Sequence, residues 1–153
     1  QGDALMKPPG QRYAAARPFY EKALREDKGN EHALLMLARG YKGLGQLPKV
    51  KQTLAKLEAT DPQSDVLAEA RQEKATAMLW LHADAKQNLA AFQDVGQKSP
   101  RAKVADEALY FSGYLLWQMG REDEARATFE RLIKEYPQSA YVKWTRKDLE
   151  LLR

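Results

Sequence analysis

The chain contains no cysteine. Disulfides, thiolate nucleophiles and cysteine-ligated zinc are thereby excluded, and a cysteine-free composition suits periplasm and cytoplasm equally. Only two histidines occur, His32 and His82, and neither has a second histidine at helical spacing. No metal site or histidine-activated nucleophile is therefore expected. A Gly-rich phosphate loop, a Gly-x-Ser-x-Gly elbow and a His-Glu-x-x-His motif are all missing, so neither an enzyme nor a cofactor is expected in this segment. No run approaches the roughly 18 consecutive apolar residues that a membrane span requires. Alternating β-branched runs are also absent, which predicts no strands. Basic excess is small: 25 Lys/Arg stand against 21 Asp/Glu. The signs alternate along helical stretches instead of forming a basic stripe, so nucleic acid is not an expected partner.

What remains is helix with regular punctuation. An Ala-rich helix over 12–27 follows Lys7-Pro8-Pro9-Gly10 and stops at Gly29-Asn30. Helices over 31–42 and 48–59 flank a Gly43-x-Gly45 turn, with Pro48 where a first-turn proline is tolerated. Ser64 or Asp65 caps a long helix over 65–82, and Asp84 caps another over 84–96. Helices over 102–119, 122–135 and 139–152 follow, separated by Gly120 and Tyr136-Pro137. Pro18 lies inside the first helix, which predicts a kink or a later start. Acidic clusters at Asp106-Glu107 and Glu122-Asp123-Glu124 sit near helix starts, where the dipole favours them.

One phrase occurs twice. Leu34, Leu37, Ala38, Tyr41, Gly45, Val50, Leu54, Leu57 and Pro62 form one copy. Leu109, Ser112, Gly113, Leu116, Gly120, Ala125, Phe129, Leu132 and Pro137 form the other, each residue 75 positions on. A hydrophobic helix face, a Gly turn, a second helix and a closing proline make one helical hairpin, which cannot bury its apolar face alone and must stack. Gly113 is mid-helix, at a cost of roughly 1 kcal/mol relative to Ala; the small residue there, Ala38 in the other copy, implies that the facing helix passes closest at this slot.

These residues resemble the tetratricopeptide repeat (TPR), whose pattern is W-x2-L-G-x2-Y, A-x3-F, P, with Leu34 and Leu109 in the tryptophan slot. The resemblance implies an all-α, right-handed TPR-like helical-hairpin solenoid of about eight helices, read as a single TPR domain over 1–153. Within it, 12–30 is a partial repeat, 31–64 a repeat, 65–100 a degenerate repeat with insertions, 106–137 a repeat and 139–152 a capping helix. The closing-proline slot of the degenerate repeat falls on Gln97, or on Pro100 in an alternative frame. In the partial repeat Ala16, Tyr20 and Ala23 take the second-helix slots, with no first helix before them.

In the TPR pattern the free face of each first helix lines a concave groove, which implies binding of a protein or peptide. Tyr110, Tyr114 and Trp117, spaced i, i+4, i+7 on one face, are the candidate anchors. Leu35, Arg39 and Lys42 hold the corresponding face of the earlier repeat. The competing reading packs Tyr114 and Trp117 under the 65–82 helix or an inserted loop. Clamps for acidic chaperone tails carry Lys and Asn here, and this chain departs from them. Tyr141, Trp144, Leu149 and Leu152 read as the inner face of a capping helix. The open hairpin at 12–27 leaves apolar surface for self-association.

A narrower resemblance rests on Ala108-Leu109-Tyr110-x-x-Gly113, Ala125-x-x-x-Phe129 and Tyr136-Pro137-x-Ser139, with the joint Lys98-Ser99-Pro100. It is similar to the ends of bacterial envelope TPR proteins of the Tol-Pal-associated and outer-membrane-assembly types. This implies a periplasmic or outer-membrane-associated scaffold. A cytoplasmic chaperone or regulator of a secretion or pilus system, or the recognition domain of a larger enzyme, are the alternatives. Because the chain begins with Gln1, a processed or excised product is expected, with any targeting signal outside it.

Overall fold

In the computed structural model the described residues are 9–99 and 103–152. They form eight α-helices and no strand. In chain order these are α1 (Pro9–Glu26), α2 (Glu31–Gly43), α3 (Leu47–Thr60), α4 (Val66–Trp80), α5 (Ala85–Lys98), α6 (Ala105–Gln118), α7 (Glu122–Glu135) and α8 (Val142–Leu151). The all-α expectation thus holds among the described residues, with ends shifted by no more than about three positions. Lys7, Pro8 and Pro100 lie outside the described residues.

Two compact units emerge, Gln1–Leu81 with α1–α4 and His82–Arg153 with α5–α8. The division falls inside 65–100, the segment read as one degenerate repeat. In the first unit α2 packs on α1, α3 and α4, and α4 also packs on α3; in the second, α6 packs on α5 and α7, and α7 on α8.

Local chemistry explains the breaks. Asn30 Oδ1 accepts the Ala33 N–H at 2.9 Å and Asp84 Oδ1 accepts that of Gln87 at 3.0 Å, each cap stabilising its helix by about 1 kcal/mol. Gly45 (φ +70°) and Gly120 (φ +74°) adopt the left-handed conformation that ends α2 and α6. The bonds there repeat in register. Leu44, Gly45 and Gln46 N–H groups donate to the carbonyls of Gly40, Lys42 and Tyr41; Met119, Gly120 and Arg121 donate to those of Leu115, Trp117 and Leu116.

The closing turns repeat as closely. Ser64 Oγ donates to the Glu31 carboxylate at 2.8 Å and accepts the Val66 N–H at 3.2 Å. Ser139 Oγ donates to Asp106 at 2.5 Å and accepts the Tyr141 N–H at 3.1 Å. Each serine ties the exit of a hairpin back to the start of its first helix. The identical triplets Pro62-Gln63-Ser64 and Pro137-Gln138-Ser139 are the sequence mark of this closing turn.

Three expectations change. The later start offered for the first helix is overturned, since α1 begins at Pro9 and runs through Pro18, although Pro18 offers no N–H to the carbonyl one turn back. α4 is 15 residues, an ordinary length, because Leu81 caps it and His82 turns left-handed at φ +52°. Trp144 does not cover the last hairpin: it is 61% exposed, while Thr145 of α8 and Leu152 just after it are buried.

The first unit's core is Leu34, Leu35, Leu54, Leu57, Leu67 and Ala70, with Leu24 and Val66 against it. The second buries Phe92, Val95, Leu116, Phe129 and Leu132, and Phe92 stacks on Phe111 with ring centroids 5.2 Å apart. A Cβ added to Gly113 would stand 2.4 Å from Phe129 Cε1. The close approach predicted for this slot is thus the seat of a fully buried ring.

Candidate partner-binding faces

On α6 Leu109, Ser112, Gly113 and Leu116 are buried, as are Ala105, Ala108 and Leu115. Tyr110 sits between this core and the cap. Its ring stacks on Tyr141 at 5.1 Å and lies 6.1 Å from Phe129, and the Asp148 carboxylate of α8 acts electrostatically on its hydroxyl. The expectation of a groove anchor is therefore corrected for Tyr110. The capping helix takes its ring, because a flat aromatic beside Tyr141 gains more from stacking than from water.

Burial, reinforced by the Asp148 carboxylate, pushes the Tyr110 phenol up to about 12; burial also raises Tyr136 and Tyr141. A folded value above the ordinary one of about 10 means that stability is fully present below pH ~10 and is lost as pH rises towards ~12. Urea unfolding across that window is expected to show a steep fall for the native chain. Tyr110→Phe, which removes the titrating phenol, should make the alkaline fall shallower. An unchanged alkaline slope would count against this assignment.

Tyr114 and Trp117 remain half-buried, neither core nor fully solvated. The Tyr114 hydroxyl accepts a hydrogen bond from Gln118 Nε2 at 2.8 Å, so the face continues as a polar edge. These two side chains, one turn apart, present the aromatic surface that α7 and α8 leave on this unit.

In the first unit the three candidates part company. Leu35 is 6% exposed and belongs to the core, which corrects its assignment to a binding face: α4 packs there. Arg39 and Lys42 keep a surface, but with carboxylates already in place. Arg39 Nε donates to Glu73 at 2.8 Å and its Nη2 to Glu69 at 2.7 Å, and Lys42 Nζ pairs with the other Glu73 oxygen. Burial lowers the Arg39 pKa, yet its bonds to Glu73 and Glu69 outweigh that and leave it raised. These cations are committed to α4, which narrows what an acidic partner could find.

Sequence reasoning missed Trp80. It is 60% exposed, and the Lys42 ammonium lies 4.8 Å from its ring centroid. Leu44 and Leu81 are also exposed, and Leu81 Cδ2 comes within 3.6 Å of where a Gly45 Cβ would be. The available signal was the apolar Trp80-Leu81 pair directly before a helix stop. Among the described residues no cluster of three or more metal-ligating side chains occurs, and no helix is long and apolar enough to cross a membrane.

Two family models, each described as tetratricopeptide repeat, match residues 11–78 and 107–139, together more than half of the chain. Among solved structures, two crystal structures of MamA are similar. One is 25% identical and covers 92% of this chain and 81% of its own; the other is 24% identical and covers 93% and 79%; each has a TM-score of 0.65. None of the curated proteins matches the chain.

Proposed function

The chain belongs to the tetratricopeptide-repeat family, and from that premise we propose that it is a non-catalytic scaffold which holds a protein or peptide partner on the open faces of its first helices. One observation carries the reading: Tyr114 and Trp117 stay half-buried on α6 while Leu109, Leu115 and Leu116 of that helix are buried. Half-buried aromatics of this kind dominate binding energy, since they lose little entropy on docking and bury large area. Trp80, with Lys42 over its ring, offers a second anchor on the other unit.

The compartment we propose is the bacterial envelope, beside the outer membrane or cell wall. The resemblance of Tyr136-Pro137-x-Ser139 and the Lys98-Ser99-Pro100 joint to envelope TPR proteins supports it. Fractionation of the source cell with an antibody to this chain tests the compartment. A cytosolic pool alone would favour the regulator of a secretion or pilus system instead.

For the site, crosslinking capture from source-cell lysate compares the native chain with a Tyr114→Ala/Trp117→Ala variant whose melting has been checked. The folded variant is expected to bind its principal partner at least tenfold more weakly, since truncating such anchors costs about 2 kcal/mol or more. Equal capture would move binding to another face. Unfolding of the variant would make those aromatics core residues.

A further inference from the structure

Along one side of α5, Asn88, Phe92 and Val95 are fully buried. Their spacing is that of Val50, Leu54 and Leu57 in α3, of Ala125, Phe129 and Leu132 in α7, and of Ala16, Tyr20 and Ala23 in α1. On this alignment Gly96 of α5 stands where α1 has Leu24. The paired phrase likewise sets Ser112 of α6 where α2 has Leu37. In the first unit both leucines are packed: Leu24 lies against the core that contains Leu34 and Leu57, and Leu37 is 6% exposed. The second unit lacks both side chains, and a cavity of about 110 Å³ opens there between α5, α6 and α7. Its walls are three consecutive helices of one unit, so it does not depend on where the chain starts or stops.

Phe92 and Leu109 give the cavity its apolar floor, and a Cβ placed on Gly96 would meet nothing within 4 Å. The hydroxyls that reach it are already spent. Ser112 Oγ donates to the Ala108 carbonyl and Thr128 Oγ1 to that of Glu124, each at 2.8 Å. Arg131 supplies the one charge in the lining, and its Nε donates to Glu135 at 2.9 Å. Water held in such a space needs roughly two to four polar partners, and an apolar group that displaces weakly held water gains affinity. Gln93 and Gln97, both exposed, stand at the mouth, where side-chain amides suit pairing with peptide groups.

We infer that this cavity is the receptor for a leucine side chain carried by a partner protein. The chain's own first unit shows the chemistry that fits, a branched aliphatic group at the matching positions of the matching helices. A neutral occupant also complements a wall whose single charge is compensated. The size agrees, since an engineered cavity of roughly 150 Å³ takes benzene and a leucine side chain is smaller. Ser112 lies two residues from Tyr114 and five from Trp117, which puts the cavity on the other side of α6 from those aromatics. The leucine site is thus a second contact, independent of the aromatic face.

Amide NMR of the isotope-labelled whole chain tests this, with capped Gly-Leu-Gly and Gly-Ala-Gly tripeptides as the probes. The leucine probe is expected to saturate in the millimolar range, with shifts centred on the amides of Gly96, Ser112 and Thr128. It should bind at least tenfold more tightly than the alanine probe, because each further buried carbon adds roughly fourfold. Ser112→Leu, which restores the residue of the first unit, should raise the melting temperature and abolish those shifts. Gly96→Leu fills the cavity from its other wall and should do the same; it decides the matter if Ser112→Leu does not fold. Tyr114→Ala/Trp117→Ala should leave the shifts in place, so the aromatic face can fail while this site stands. The inference is overturned by a native chain without saturable shifts at these amides, by equal affinity for the two probes, or by binding that survives in a folded variant with the cavity filled. Loss of the shifts in the folded Tyr114→Ala/Trp117→Ala variant overturns it as well.

Discussion

Gly113→Ala is expected to destabilise the chain by about 1–3 kcal/mol, although alanine is the better helix former by roughly 1 kcal/mol. The new Cβ would lie 2.4 Å from Cε1 and 2.6 Å from Cδ1 of Phe129. That ring is fully buried, so it cannot swing away as the end of a flexible side chain could, and α6 and α7 must part. The other repeat shows the remedy. Ala38 and Leu54 hold the same two slots, a larger residue on one helix matched by a smaller one on the other. Phe129→Leu alone should cost about 1 kcal/mol or more through the space it leaves. In the double variant Gly113→Ala/Phe129→Leu the two changes should compensate, with a coupling of at least about 1 kcal/mol in a double-mutant cycle by urea unfolding. Additive losses would show that the contact at Gly113 is not what fixes the spacing of this hairpin.

Glu73→Gln should have an effect of similar size, about 2–3 kcal/mol. One carboxylate serves two cations here. Its Oε1 accepts from Arg39 at 2.8 Å and its other oxygen from Lys42, and the side chains of Glu73 and Lys42 are only 14% and 16% exposed. Hydrogen bonds to charged groups contribute about 1.5–3 kcal/mol each, and removing the anion leaves two part-buried positive charges with Glu69 as their remaining carboxylate. Glu69 is 45% exposed, so Glu69→Gln should cost clearly less. Glu135→Gln is the control. Its pair with Arg131 is half-exposed and one helical turn long, a class that contributes about 0.3–0.5 kcal/mol. If Glu73→Gln proved as mild as Glu135→Gln in chemical unfolding, the network would be an ornament of the surface and not a joint between α2 and α4.

Much of this architecture was legible because helix chemistry is local. Asn30 and Asp84 cap through their own side chains three residues away, and Gly45 and Gly120 end helices through their own φ angles. The paired phrase located the hairpins and the close approach at Gly113. Binding faces were harder, because a helix has several faces and the sequence does not label them. Leu35, Arg39 and Lys42 share a side of α2 with the right spacing for a groove. That side meets α4, which buries Leu35 and supplies Glu69 and Glu73 to the cations. Tyr110 was drawn from the same stripe as Tyr114 and Trp117, yet the turn that begins at Ser139 brings Tyr141 over it.

By itself the sequence determined the helical class, the number and approximate limits of the helices, and the two matched hairpins, since caps, turn glycines and hydrophobic spacing act within a few residues. Tertiary structure alone decided which side chains are left open: Trp80 and Phe19 are exposed and Tyr114 and Trp117 half-buried, while Leu35 is buried and the half-buried Tyr110 is stacked on Tyr141. Exposure depends on which helix packs where, and contacts between residues such as Arg39 and Glu73 or Tyr110 and Tyr141 are made across some thirty positions of chain, beyond the reach of any local pattern.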